Sequence, residues 1–171
     1  MLSNIGNIFV IGSLLTCLLI FYYGLINNSL LNSLKYNRLI KISLYQTTFV
    51  IMSFITLITG YLLSDFSLSN VFENSHSQKP IFYKVSGTWG NHEGSLLLWI
   101  NILVIFSYLF LVLNKDTDKK FKIYTLIVQN TLIFGFLLFL IFNSNPFSLI
   151  VPIPKEGMGL NPILQDPALA I

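Results

Sequence analysis

Residues 96–113 read LLLWINILVIFSYLFLVL, with Glu93 shortly before them and Lys115 shortly after. No Asp, Glu, Lys or Arg interrupts the stretch. As a helix it would be about 27 Å long at 1.5 Å per residue, close to the ~30 Å of hydrocarbon in a bilayer. An uncharged run of this length predicts a membrane-spanning helix. Working outward, three more such stretches occupy about residues 5–26, 42–63 and 123–142, each closed by charged or amide residues. Phe21, Tyr22 and Tyr23 near the end of the first suit a membrane–water interface, where aromatic rings concentrate.

The composition agrees. The chain is 54% hydrophobic and 10% charged, against about 25% charged in soluble domains. Its mean hydropathy is +0.72. The predicted fold class is therefore all-α integral membrane: one membrane domain, residues 1–171, with four transmembrane helices. A net charge of +3 is too small to imply a nucleic-acid surface. Ala occurs twice and Arg once, whereas Ile occurs 22 times and Asn 15. That usage follows AT-rich codons and points to an organelle or endosymbiont genome. The N-terminus lacks the basic region of a signal peptide, since the first charge is Lys35.

Charge placement predicts the orientation. Lys35, Arg38 and Lys41 lie between the first two spans, and Lys115, Lys119, Lys120 and Lys122 between the last two, so seven of ten basic residues share one side. The positive-inside rule makes that side the cytoplasm or matrix. The N-terminus, the connection 64–95 and the Pro-rich tail 143–171 are then expected on the outer side, toward the periplasm or intermembrane space. Five of the six prolines fall in that tail, which excludes a regular helix or strand there.

The outer connection holds the residues with chemistry. Residues 87–99 read GTWGNHEGSLLLW. Asn91 is placed to cap the third span, and Glu93 falls in its first turn, where the helix dipole favours a carboxylate. His92 is the candidate ligand or proton carrier, set against the plainer reading of a residue that begins a helix. His92 and Glu93 are neighbours and should diverge by about 100° on a helix, so they are not read as a dyad. His76 sits among Ser, Asn and Gln and reads as solvated. Cys17 is the sole cysteine and reads as small helix filler. No zincin motif, P-loop, dinucleotide turn or metal-spaced Cys/His cluster occurs, so neither a catalytic residue nor a metal site is assigned. No charge interrupts any of the four runs, which argues against a proton relay within the membrane.

Residues 89–99, WGNHEGSLLLW, resemble the signature of the CcmF family, the membrane haem lyases of cytochrome c maturation. Asn4-Ile5-Gly6-Asn7, Asp65-Phe66-Ser67, His76-Ser77, Tyr83-Lys84, residues 143–147 and residues 159–167 agree in order and spacing. The resemblance implies covalent attachment of haem to apocytochrome c, through thioether bonds to the cysteines of a C-x-x-C-H motif. It implies haem b in the full complex, with ligands outside this chain. The family continues into a His-Pro-Pro segment and a Trp-rich haem-handling loop, and this sequence stops where the former would begin.

The chain is therefore expected to be an N-terminal subunit, or a fragment, of a CcmF-type haem lyase complex and not catalytic alone. A split mitochondrial gene product is favoured over an AT-rich bacterial source, which places the chain in the mitochondrial inner membrane. Implied partners are the remaining CcmF portion, a holo-haem chaperone, apocytochrome c and its thiol-reducing partner. The resemblance assigns Trp89, Gly90, His92, Glu93, Gly94, Asn161, Gln165 and Asp166 to a haem- or substrate-facing surface. The alternatives are a relative serving nitrite reductase, a small structural subunit of a respiratory complex, and an anchor without chemistry.

Overall fold

The computed structural model describes residues 1–25, 33–114 and 116–159. Asn161, Gln165 and Asp166 lie outside the described residues. Six helices follow in order: α1 Leu2–Leu25, α2 Ser33–Leu63, α3 Ser69–Asn74, α4 Ile81–Gly87, α5 His92–Leu113 and α6 Lys119–Phe142. Four of them, α1, α2, α5 and α6, are long and apolar enough to cross a membrane. Among the described residues no strand forms, only one antiparallel bridge between Leu68 and Leu149.

Packing follows a spacing of three and four residues. Ser3, Gly6, Val10, Ser13, Cys17, Ile20 and Gly24 face inward from α1, and Ile123, Leu126, Asn130, Ile133, Leu137 and Leu140 from α6. That period keeps one seam facing the neighbours over the whole helix. Small residues on α1 let the backbones approach, as membrane helices require where the hydrophobic effect does not join them. Gly12 lies against the Phe49 ring of α2, and Gly24 against Ile127 of α6. Outward faces remain apolar: Ile8, Trp99, Phe106 and Val128 are each about 64–65% exposed. A surface greasy all round suits lipid and not water.

Polar side chains bond the seams together. Gln46 Nε2 on α2 donates to Asn130 Oδ1 on α6 at 3.0 Å and to Cys17 Sγ on α1 at 2.9 Å. Asn130 Nδ2 donates to the Cys17 carbonyl at 3.0 Å. Thr47 Oγ1 donates to the Val104 carbonyl at 3.2 Å, joining α2 to α5. Cys17 is thus more than filler, since its sulfur receives a bond from a three-helix clamp.

The helices differ from the expected spans mainly at their ends. Helix α2 begins at Ser33 and not Ile42, so Lys35, Arg38 and Lys41 stand on its first turns and not in a loop. No Gly or Pro occurs between Ser33 and Thr59 to stop the helix, and long basic side chains can reach water from a helix end. Helices α5 and α6 likewise extend to include Glu93, Lys119, Lys120 and Lys122 in their first turns. The charges thus stay at the helix ends and leave the interiors uncharged. The connection 64–95, expected as loop, contains α3 and α4.

At the end opposite these bases the chain forms a cap. The tail is laid along the connection by bonds from Ser69 N to Ser148 O, Ile150 N to Ser67 O, Met158 N to Phe72 O and Gly159 N to Ser75 O, all 2.8–3.0 Å. Glu156 accepts from the Ser77 amide at 2.9 Å and its hydroxyl at 2.6 Å. Those two bonds hold its carboxyl down to about 2. Gly157 packs so closely on the Ser75 carbonyl that a Cβ there would collide with it.

Candidate functional site

Among the described residues, the first motif and the one after α6 meet in the cap. Asn145 Nδ2 donates to Asn7 Oδ1 at 2.9 Å, and Ser3 Oγ donates to the Phe147 carbonyl at 2.6 Å. The Phe147 ring, fully buried, lies over Gly6, where no side chain would fit. Residues 3–7 and 144–147, at opposite ends of the described chain, thereby form one wall beside the start of α5.

Asn91 sets that start. Its backbone is extended (φ −134°, ψ 168°), and its Oδ1 accepts from Gly94 N at 2.7 Å, the bond of an N-cap. Its Nδ2 donates to the Gly87 carbonyl at 2.8 Å and to the Tyr61 hydroxyl at 2.9 Å. Asn70 on α3 donates to Asn91 Oδ1 at 2.8 Å and to Glu93 Oε2 at 3.2 Å. Tyr61, fully buried on α2, donates to Asn70 Oδ1 at 2.7 Å. Gly94 lies against the Thr88 carbonyl, leaving no room for a Cβ. One closed network of amides and hydroxyls therefore fixes how α4 turns into α5.

Glu93 and His92 diverge as their helix positions require. Glu93 faces inward to Asn70, whereas His92 turns to α6, where its Nδ1 sits 2.7 Å from Ser144 Oγ and its ring centre lies 6.1 Å from that of Phe139 in a tilted, edge-type arrangement. His92 stands at the mouth of an open groove of about 550 Å³ between α5 and α6, lined by Leu96, Thr131, Gly135, Phe136 and Phe139. Gly135 leaves its floor open, with no atom within 4 Å of where a Cβ would be. The arrangement presents one oriented imidazole above an apolar slot. Trp89 and Gly90 are half-buried in the turn before it.

The structure thus brings Trp89, Gly90, His92, Glu93 and Gly94 together around one helix start. His76 lies apart, its Nδ1 3.9 Å from Glu156 and accepting from the Gln78 amide. Among the described residues no group of three or more His, Cys, Asp or Glu side chains could hold a metal ion. Sequence reasoning missed Tyr61, Asn70, Ser144 and the α6 side of the groove. Ser144 lies within a motif that the family resemblance had marked. Tyr61 carries no signal in the chain, because only the fold brings it beneath Asn91.

Asn91→Ala should cost about 1 kcal/mol for the lost cap and a further ~0.5–1.5 kcal/mol for each hydrogen bond lost to Tyr61 and Asn70, which keep their bonds to each other and to Glu93. Thermal unfolding in detergent measures it. Asn91→Asp, which keeps the capping oxygen, should recover part of the loss.

Comparison with known proteins places the chain. The sequence model of the family described as "Cytochrome C assembly protein" matches residues 89–171. The cytochrome c-type biogenesis protein CycK of Rhizobium meliloti (strain 1021) is 49% identical over 122 residues, which are 71% of this chain and 18% of that protein. The cytochrome c-type biogenesis protein CcmF of Escherichia coli (strain K12) is 39% identical over 118 residues, 68% of this chain and 18% of that one. The solved "Cytochrome c Heme Lyase CcmF" shares the fold with a TM-score of 0.76 at 20% identity, over 86% of this chain and 25% of its own. The chain therefore spans a minor part of the length of these relatives. On these matches, with the eleven-residue motif at the start of α5, the chain belongs to the CcmF family of cytochrome c-type biogenesis proteins.

Proposed function

We propose that this chain is the N-terminal part of a haem lyase, and that its cap shapes the outer surface on which haem meets apocytochrome c. The observation that carries the reading is the convergence in one cap of motifs spread from Asn4 to Phe147. Trp89, Gly90, His92, Glu93 and Gly94 supply one part of that surface. The groove below His92 offers an apolar bed for a flat macrocycle edge. A single imidazole held by a Ser hydroxyl is oriented in the manner of a group that meets a metal or a proton. Iron ligands of haem b are supplied by further spans of the complex, together with the Trp-rich loop.

In this reading the apocytochrome, its thiol-reducing partner and a holo-haem chaperone reach the cap from the intermembrane space. The basic end lies in the matrix and the chain sits in the mitochondrial inner membrane. Charge placement and codon bias support that location.

Two measurements test the proposal. The chain should co-purify with a larger haem-carrying membrane protein that holds the remaining spans. His92→Ala, in which the Asn91 cap and its network are retained, should lower c-type cytochrome assembly severalfold by haem stain without lowering the amount of the chain in the membrane. Normal assembly in both His92→Ala and a variant with Trp89–Ser95 replaced by Ala would sink the proposal.

A further inference from the structure

The opposite end of the bundle holds a second feature. A pocket of about 730 Å³ opens where α2 begins, α5 ends and α6 begins, and Tyr36, Tyr108, Leu111, Thr117, Lys119 and Lys122 line it. Lys122 is only 5% exposed. Its ammonium donates to the Leu111 carbonyl at 3.3 Å and lies 5.8 Å from the centre of the Tyr36 ring, and Lys119 reaches the same ring at the same distance. Among the described residues no carboxylate oxygen comes within 4.0 Å of Lys122.

A buried ammonium ordinarily has an anionic partner, because desolvating an isolated charge is expensive. The carbonyls ending α5 explain why a cation is tolerated there, but a helix end offers only about half a charge. Two acids also line the pocket, and neither neutralises Lys122. Asp118 caps α6, accepting from Lys120 N at 3.4 Å, and Asp116 is exposed. Lys35, Arg38 and Lys41 on the first turns of α2 and Lys120 on α6 belong to the same end of the bundle. The field there favours an anion despite the two aspartates.

The position selects which anion. The pocket lies at the ends of three spans, and its lining is divided between apolar Ile40, Leu111 and Val112 and the amines and hydroxyls of Tyr36, Thr117, Lys119 and Lys122. Acyl chains and a phosphate need that division, and basic pockets between spans are where anionic headgroups bind. We propose that this pocket binds the phosphate of an anionic phospholipid, with Lys119 and Lys122 as its cations and Tyr36 as the wall that holds both amines. The assignment is independent of the haem-lyase reading.

The chain, purified in neutral detergent and stripped of lipid, is titrated with phosphatidylglycerol or with phosphatidylcholine and read by native mass spectrometry. Phosphatidylglycerol should be retained preferentially. Lys119→Gln should cut the preference about fivefold, the factor equivalent to roughly 1 kcal/mol per Lys at an anionic membrane surface. Lys122→Met should cut it further. Lys119 is exposed and can be changed without disturbing the core, so its variant remains decisive if Lys122→Met fails to fold. Lys155→Gln, on the cap, should have no effect. Equal retention of the two lipids overturns the proposal, as does a preference that survives both pocket variants. Displacement of bound phosphatidylglycerol by equimolar inorganic phosphate would also overturn it, by showing a site for free phosphate instead.

Discussion

Replacing Gly94 by alanine is expected to disable this protein more than any other single-methyl change. The added Cβ would enter the space of the Thr88 carbonyl oxygen. That obstacle is backbone and cannot turn aside as a side-chain tip would. Either the α4–α5 turn opens or the first turn of α5 shifts, and both movements pull Gly94 N from Asn91 Oδ1. Overpacking of this kind costs about 1–3 kcal/mol, and loss of the cap bond adds roughly 1 kcal/mol. Out of a total stability of about 5–15 kcal/mol, that is a large share. Thermal unfolding should show a marked loss, and under the proposed function c-type cytochrome assembly should fall with it. Gly135→Ala supplies the contrast, since nothing lies within 4 Å of its Cβ. In a helix interior the Gly-to-Ala exchange favours folding by up to ~1 kcal/mol. If Gly94→Ala unfolds no more readily than Gly135→Ala, the tight turn at Thr88 is wrong.

Phe147→Ala is expected to cost about 3–5 kcal/mol, the range for emptying a large aromatic site in a core. The ring is fully buried and covers Gly6. Its backbone is tied on both sides: the carbonyl accepts from Ser3, and the amide donates to Asn145 Oδ1 at 2.9 Å. Removing the ring leaves those bonds bridging a cavity, so α1 and the segment after α6 should part at the cap. Hydrogen exchange should then quicken at the amides of Ser69 and Ile150, which hold the tail to the connection. Phe147→Leu, which refills part of the volume, should lose less. A loss below ~1 kcal/mol for the alanine variant would mean the ring is not the plug described here.

Some features were legible because they are local. A span is a sum of residue transfer energies along one stretch, so the four uncharged runs predicted four long helices without any partner. The cap at Asn91 was equally readable, since Asn91 and Gly94 lie three residues apart and the amide oxygen needs only that spacing. Helix ends were less readable. The bases before Ile42 looked like a loop because charge stops a hydropathy run, yet the backbone bonds of α2 continue through them to Ser33. A hydrocarbon boundary and a helix boundary are different physical limits.

The sequence by itself determined the membrane architecture, the helix start at Asn91 and the family. Each depends on residue type and short spacing. Only the tertiary structure decided that Tyr61 and Asn70 close a network beneath Asn91, and that His92 turns to Ser144 while Glu93 turns to Asn70. It also placed residues 3–7 against residues 144–147 and set Lys122 beneath the end of α5. These contacts join residues distant in the chain, and no local periodicity encodes them. They form because the four spans pack along seams of small and apolar residues, which brings α1 and the segment after α6 to the same end of the bundle.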